Sequence, residues 1–343
     1  MAAPKTAKLT IPVPHQKSPA RAQARLSSDD LVSMADLSPQ DFQSVLALAE
    51  TLKANPRDFR SALDGQQLVL IFEKPSLRTR VTFEAGMKSL GGDAIFLDQR
   101  GSRIAEREQV RDVARNLERW VDGIVLRTYE HSTVTEMAQF ARVPVINALS
   151  DFEHPCQALA DFLTLKEKFG DLRSVKLAYL GDGNNMAHSL MLAAALAGSS
   201  ISIATPPGYA PQADLTRLAQ SIAKQTGACI SISHDPAEAV AYADAVYTDV
   251  WASMGQEDEA EARRATFAEY QVDDELMAKA MPHALFMHCL PAHRGDEVTA
   301  SVLESPRSVV FDQAENRLHV QKAILMLLLG KTKSRFPARS AEA

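Results

Sequence analysis

The sequence predicts an α/β protein of two domains, each a parallel sheet flanked by helices. Two series of short apolar runs, separated by segments of helical spacing, support this because strands that alternate with helices form parallel sheets. The length of 343 residues is the third observation, since a chain of this size usually divides between two cores. The first series of strands contains residues 68–72, 94–97, 123–127 and 143–147, and the second contains 175–180, 200–204, 229–233, 245–250, 284–288 and 308–311.

Three helices frame these two series. The first begins after Ser38, because serine caps a helix start and the following proline suits the first helical position. A second helix, from Pro155 to about Phe169, lies between the two series and links them. The last helix runs from Glu315 to Leu329 and closes the chain.

Composition predicts a soluble cytoplasmic protein. Hydrophobic residues make up 46% and charged residues 23%, and a net charge of −6 gives no general reason to bind nucleic acid. The three scattered cysteines, Cys156, Cys229 and Cys289, argue against a disulfide framework and a zinc site, and for a reducing compartment. No apolar run approaches the length of a membrane span.

The first 28 residues contain five basic residues, no acidic residue and four prolines. A basic, acid-free start is typical of an organelle transit peptide, but the prolines oppose the amphipathic helix that such a peptide needs. We therefore favour a disordered tail over residues 1–28. Residues 331–343 are also polar and are expected to be loosely held.

Residues 72–80 place hydroxyl groups and two guanidinium groups where a strand gives way to a helix. If the helix begins near Ser76, its free N–H groups favour an anion, and Arg78 and Thr79 add donors. The segment then predicts a phosphate site. The alternative is an ordinary capped helix with surface arginines.

Other polar residues also follow the predicted strands or begin helices, where ligands of parallel sheets bind. His154 and Gln157 offer an imidazole and an amide that can hold a carbonyl and its NH2 group, or they are a capping histidine and a solvated glutamine. Arg127 and Arg317 are anion ligands or surface charges, and Cys289 is a site thiol or a core cysteine. Asp249 can hold an ammonium group or form a turn.

Residues 181–185 suggest a dinucleotide site, because a glycine-containing turn follows a strand and opens a helix. Met186 occupies the place of the third glycine, and the next strand ends without the acidic residue that would hold a ribose. Asn184 and Asn185 instead suit a small polar ligand.

Together these segments resemble the aspartate/ornithine carbamoyltransferase family over roughly residues 31–330. The similar motifs are SLRTR at 76–80, HPCQ at 154–157, GDGNN at 181–185, DVWASMG at 249–255, HCLP at 288–291 and ENR at 315–317. The fourth and fifth motifs resemble those that separate members acting on ornithine from those acting on aspartate or putrescine.

The resemblance implies a carbamoyl phosphate domain of residues 29–150 plus 316–343 and an ornithine domain of residues 151–315, with the last helix packing back on the first domain. It implies transfer of a carbamoyl group from carbamoyl phosphate to the δ-amine of L-ornithine, giving L-citrulline and phosphate in arginine metabolism. No metal or cofactor is implied. The expected assembly is a homotrimer with shared active sites. Alternatives are a carbamoyltransferase for another amine and a non-catalytic binding paralogue.

The resemblance also implies roles for individual residues. Carbamoyl phosphate would be bound by Ser76, Leu77, Arg78, Thr79, Arg103, Arg127, His154, Gln157, Cys289, Leu290 and Arg317. Ornithine would be bound by Asn185, Asp249, Ser253 and Met254. The catalytic residues would be Arg78, Thr79, Arg127, His154, Asp249 and Cys289. Arg103 stands where family members usually carry a glutamine, in a loop that the neighbouring subunit is thought to use.

Overall fold

The computed structural model describes residues 25–99, 104–252 and 257–330. The strands of these ranges are β1 (Gln67–Phe72), β2 (Asp93–Asp98), β3 (Gly123–Arg127), β4 (Val145–Leu149), β5 (Lys176–Leu180), β6 (Ser200–Ala204), β7 (Ile230–Ser233), β8 (Ala245–Thr248) and β9 (Leu285–His288). The α-helices are α1 (Pro39–Ala54), α2 (Leu77–Ser89), α3 (Ile104–Arg107), α4 (Val110–Leu117), α5 (His131–Phe140), α6 (Pro155–Phe169), α7 (Asn185–Ala197), α8 (Ala213–Thr226), α9 (Pro236–Val240), α10 (Ala260–Phe267), α11 (Asp274–Met277), α12 (Ala300–Leu303) and α13 (Val310–Leu329).

Two parallel sheets confirm the predicted fold class. The first sheet has the strand order β2-β1-β3-β4, and the second has the order β7-β6-β5-β8-β9. Strand order therefore reverses between β1 and β3 in the first sheet and between β5 and β8 in the second. Ligands of open parallel sheets bind at such reversals. The segments that follow these four strands carry most of the predicted site residues.

The last helix packs against α1, α2 and α6, which confirms that it returns to the first domain. Buried apolar residues from both sheets and from α1, α6, α7 and α13 form one continuous cluster. The helix α6 is buried from Pro155 to Leu165, as expected of a segment that joins two sheets. No helix within the described ranges is both long and apolar enough to cross a bilayer.

The start of the last helix differs from the prediction. Residues 308–311 do not form a strand: Ser308 makes a single bridge to Phe286, and the helix begins at Val310 rather than at Glu315. The first turns of this helix bury polar side chains, among them Gln313 and Arg317. Their polarity hides the helical period, so the apolar run around Val309 resembled a strand.

The predicted helix starts at Ser38 and Pro155 are confirmed. Ser38 accepts a hydrogen bond from the main chain of Asp41, as an N-cap residue should. Two residues that the sequence assigned to the amino-terminal tail pack with the first domain, since Leu26 is buried and the Ser27 main chain donates to Asp41 at 3.1 Å. Residues 1–24 and 331–343 lie outside the described ranges.

Candidate active site

A cavity of about 510 Å³ is lined by residues that follow strands of both sheets. It brings together every predicted site residue that lies in the described ranges: Ser76, Leu77, Arg78, Thr79, Arg127, His154, Gln157, Asn185, Asp249, Cys289, Leu290 and Arg317. Arg103, Ser253 and Met254 lie outside the described residues.

The start of α2 forms one wall of the cavity. Ser76 is the N-cap, and its hydroxyl accepts a hydrogen bond of 3.3 Å from the main chain of Thr79. The side chain of Thr79 is fully buried. The two interpretations of this segment are thus compatible, because the helix is capped in the ordinary way and its first turn also lines the cavity.

Arg317 joins this wall to the start of α6. Its guanidinium donates to Gln157 Oε1 at 2.6 Å and to Thr79 Oγ1 at 2.8 Å. The Nε atoms of Arg317 and Arg127 are buried and make no hydrogen bond to other described residues. Three guanidinium groups, those of Arg78, Arg127 and Arg317, line the same cavity.

Burial, together with the clustering of these charges, lowers the pKa of two groups that line the cavity. Burial, followed by the charges of Arg317 and Arg78, lowers the pKa of Arg127 to about 9. Burial and the same group of arginines also hold the pKa of His154 well below its ordinary value. His154 is therefore neutral near pH 7, beside at least three cations. Such a group of charges suits a dianion, and a neutral imidazole can still donate one hydrogen bond.

A carboxylate also lines the cavity. Asp249 accepts hydrogen bonds from Asn184 Nδ2 at 3.1 Å and from Cys289 Sγ at 2.9 Å. Burial and the nearby Asp249 raise the pKa of the Cys289 thiol well above its usual value, so the sulfur stays protonated. A buried carboxylate in this position suits a cationic or amine group of a ligand.

The segment after β9 is held by local hydrogen bonds. Leu290 has a positive φ of 58°, and its main-chain N–H donates to His288 Nδ1 at 2.8 Å. The other imidazole nitrogen lies 3.2 Å from Glu297. Among the described residues, Asp249, His288 and Cys289 are close enough to hold a metal ion. Because both nitrogens of His288 and the thiol already make hydrogen bonds, we assign no metal to this group.

Two polar residues near the cavity, Asp161 and Gln313, were not assigned roles by sequence reasoning, and Asn184 was expected only to suit a small polar ligand. Asn184 supports Asp249, whereas its predicted neighbour Asn185 lines the cavity and donates to the Ser150 carbonyl at 2.7 Å. Asp161 and Gln313 are buried and bonded to each other at 2.7 Å. Asp161 and Gln313 belong to no motif that signals function. Only the turn before α7 pointed toward Asn184.

The fold and this cavity define a two-domain α/β protein whose cavity is lined by three arginines, a histidine and a buried carboxylate. A family model for the carbamoyl-P binding domain of aspartate/ornithine carbamoyltransferase matches residues 29–167. A second model, for the Asp/Orn binding domain of the same proteins, matches residues 173–328. The chain belongs to the aspartate/ornithine carbamoyltransferase family.

Similar proteins are ornithine carbamoyltransferases. The chain is 49% identical over 313 residues to the ornithine carbamoyltransferase of Pyrococcus abyssi, covering 91% of this chain and 99% of that protein. It is 48% identical to the anabolic ornithine carbamoyltransferase of Pyrococcus furiosus, over 90% of this chain and 98% of that one. The solved structure of an ornithine carbamoyltransferase from Pyrococcus furiosus superimposes with a TM-score of 0.87, covering 90% of this chain and 100% of that chain.

Proposed function

We propose that this protein is an ornithine carbamoyltransferase, which converts carbamoyl phosphate and L-ornithine to L-citrulline and phosphate. The observation that carries the proposal is that three arginines and the buried carboxylate of Asp249 line one cavity. The names of the similar proteins agree with it. The anabolic relative supports a role in arginine biosynthesis, and the three free cysteines support a cytoplasmic location.

In the proposed reaction, the start of α2 with Arg78 and Arg127 holds the phosphate dianion. Thr79, Arg127 and His154 face the carbamoyl oxygen and stabilise the negative charge that develops on it. The neutral δ-amine attacks the carbamoyl carbon, the new N–C bond forms, and the C–O bond to phosphate breaks. The amine proton leaves with the phosphate, so that atoms and charges balance.

On the acceptor side, Asp249 orients the amine with the help of the Cys289 thiol and Asn185. Ser253 and Met254 would complete the ornithine site. The first domain, residues 29–150 plus 316–343, would bind carbamoyl phosphate, and residues 151–315 would bind ornithine. The two domains would thus bring the reacting groups together in one cavity.

We also propose a homotrimer in which a neighbouring subunit completes the phosphate site through Arg103. Leu77, which lines the cavity, and Val81, four residues later on α2, are apolar side chains that are 77% and 52% exposed. Exposed apolar side chains grouped on one surface are typical of a protein interface. Light scattering should report three copies, and Val81→Glu should weaken the assembly. Phe311→Glu is the control, because Phe311 is 72% exposed on α13 and does not line the cavity.

A steady-state assay of the purified protein with both substrates tests the function. Arg78→Ala should lower kcat/KM for carbamoyl phosphate by about 100-fold or more, because charged donors at the reacting end are lost. Arg173→Ala is the matched control, since Arg173 is exposed and pairs with Asp171. Competition by putrescine, N-acetylornithine and aspartate tests for another amine. Substrate binding without any citrulline would favour the non-catalytic paralogue and contradict the proposal.

A further inference from the structure

Asp161 lies in α6, fully buried, and does not line the cavity. Its carboxylate accepts hydrogen bonds from three neutral groups: Gln157 Nε2 at 2.8 Å, Gln313 Nε2 at 2.7 Å and the Tyr247 hydroxyl at 3.0 Å. Burial raises the pKa of Asp161 to about 6, so the group is still ionised at pH 7. The carboxylate of Asp161 thus links α6 to Tyr247 on β8 and to Gln313 on α13.

An ionised carboxylate can only accept hydrogen bonds, whereas a side-chain amide has a donating nitrogen and an accepting oxygen. Asp161 therefore turns the NH2 groups of both glutamines toward itself and their oxygens away. The oxygen of Gln157 then faces Arg317 at 2.6 Å, and the oxygen of Gln313 accepts from the main chain of His288 at 3.0 Å. If either amide were reversed, its NH2 group would face another donor, which is the Arg317 guanidinium for Gln157 and the His288 main-chain N–H for Gln313.

The direction of these hydrogen bonds also determines the donors and acceptors at the start of α2, which lines the cavity. Arg317 also donates to Thr79 Oγ1 at 2.8 Å, and the Ser76 hydroxyl donates to the same oxygen at 2.9 Å. Because the Thr79 oxygen accepts both of these bonds, its own O–H hydrogen remains available to donate. Thr79 thus offers a donor and Gln157 an acceptor, both on residues that line the cavity.

We propose that Asp161 is a positioning residue that sets this direction, so that the site recognises a carbonyl with an adjacent NH2 group. The inference rests on the proposed function, in which that group is the carbamoyl end of carbamoyl phosphate. The second lone pair of Gln157 Oε1 accepts from the substrate NH2, and Thr79 donates to the substrate oxygen. A methyl group in place of the NH2 leaves a buried acceptor unpaired.

The second glutamine extends the effect to the segment after β9. Gln313 and Arg317 lie four residues apart on α13 and so project from the same side of the helix. Through Gln313, Asp161 holds the main chain of His288, immediately before Cys289 and Leu290 of the cavity. One buried carboxylate therefore orders Gln157 and the main chain of His288, on two separate segments beside the cavity.

Two non-reacting probes test the inference. Phosphonoacetamide has the carbonyl and NH2 arrangement, and phosphonoacetone replaces the NH2 with a methyl group. The wild-type protein should bind phosphonoacetamide more tightly, and Asp161→Asn should reduce that preference about tenfold, because an uncharged amide at 161 can also donate and so holds the Gln157 amide less firmly than an acceptor-only carboxylate does.

A double-mutant cycle distinguishes positioning from general damage. Gln157→Ala should abolish the preference, and Asp161→Asn in that background should lower it no further. Thr164→Val is the matched control, because Thr164 lies on the same helix as Asp161 and also makes buried hydrogen bonds. Its hydroxyl donates to the Ala160 carbonyl and accepts from Asn316 on α13. Thr164→Val should lower the free energy of unfolding and leave the preference for phosphonoacetamide over phosphonoacetone unchanged.

The outcomes separate the two proposals. If the wild-type protein makes no citrulline, the proposed function fails whatever the probes do. If it makes citrulline while Asp161→Asn keeps the full preference, the positioning role is overturned and the function stands. Should Asp161→Asn fail to fold, Gln157→Ala still decides, because a full preference in that variant contradicts the inference.

Discussion

Arg317 on the last helix donates a hydrogen bond of 2.8 Å to the hydroxyl of Thr79, 238 residues earlier in the chain. This contact exists because α13 packs against α1 and α2. The carboxyl-terminal helix is therefore part of the wall that holds the proposed carbamoyl group. Its packing contributes to the site as well as to the stability of the first domain.

The two contacts of Arg317 predict that lysine cannot replace it. A guanidinium can donate to Thr79 and Gln157 together through two nitrogens, whereas an ammonium is a single point charge on a flexible stem. Arg317→Lys should lower kcat/KM for carbamoyl phosphate by about 100- to 1,000-fold, the usual effect of losing a donor at a developing oxyanion. Steady-state kinetics measure this. The control Arg173→Lys, at an exposed position, should leave kcat/KM unchanged. If Arg317→Lys lowered kcat/KM by less than threefold, the role assigned to Arg317 would be wrong.

Glu153 predicts a dependence of stability on pH. It is buried between the two halves of the chain, where it accepts from the Ser33 hydroxyl, from the Met34 main chain at 3.0 Å and from the Ser189 hydroxyl at 3.2 Å. Burial is the main cause that raises its pKa from 4.5 to about 7, and the charge of Asp36 adds to the effect. Between pH 4.5 and about pH 7 the folded protein therefore holds a proton that the unfolded chain has released.

Because the folded state binds the extra proton, its stability falls as pH rises from 4.5 to 7 and is level above that range. The contribution of this group amounts to about 3 kcal/mol in the free energy of unfolding. Glu153→Gln has no such proton to lose. Urea unfolding of both proteins between pH 5 and pH 8 should therefore give a wild-type stability that declines relative to the variant. A constant difference across that range would refute the assignment.

The fold could be predicted from the sequence because apolar runs and helix caps are local signals. The proposed site could be predicted in part, since its motifs lie where strands end or helices begin. Asp161 and Gln313 were missed because each is a single polar residue inside a helix, and their contact joins residues 152 positions apart. The same burial of polar side chains displaced the predicted start of α13. No periodic pattern records such contacts.

Asn184 has two separable roles. Its oxygen caps α7 by accepting from the main chains of Met186 and Ala187 at 2.9 and 3.2 Å, and its nitrogen donates to Asp249 at 3.1 Å. Asn184→Ala removes both, and should lower the free energy of unfolding by about 1 kcal/mol at every pH, the usual cost of losing a cap. Urea unfolding at several pH values measures this loss.

Asn184→Asp separates the roles, because aspartate caps a helix as well as asparagine does but places a second carboxylate beside Asp249. The new carboxylate replaces an amide donor with an acceptor and places two like charges near the Tyr179 hydroxyl, which lies 3.3 Å from the Asn184 oxygen. Asn184→Asp should therefore be less stable than Asn184→Ala although it keeps the cap, and it should raise the ornithine KM. Urea unfolding and steady-state kinetics measure the two effects. If Asn184→Asp instead matched the wild type in both measurements, the hydrogen bond to Asp249 would contribute nothing and Asn184 would serve only as a cap.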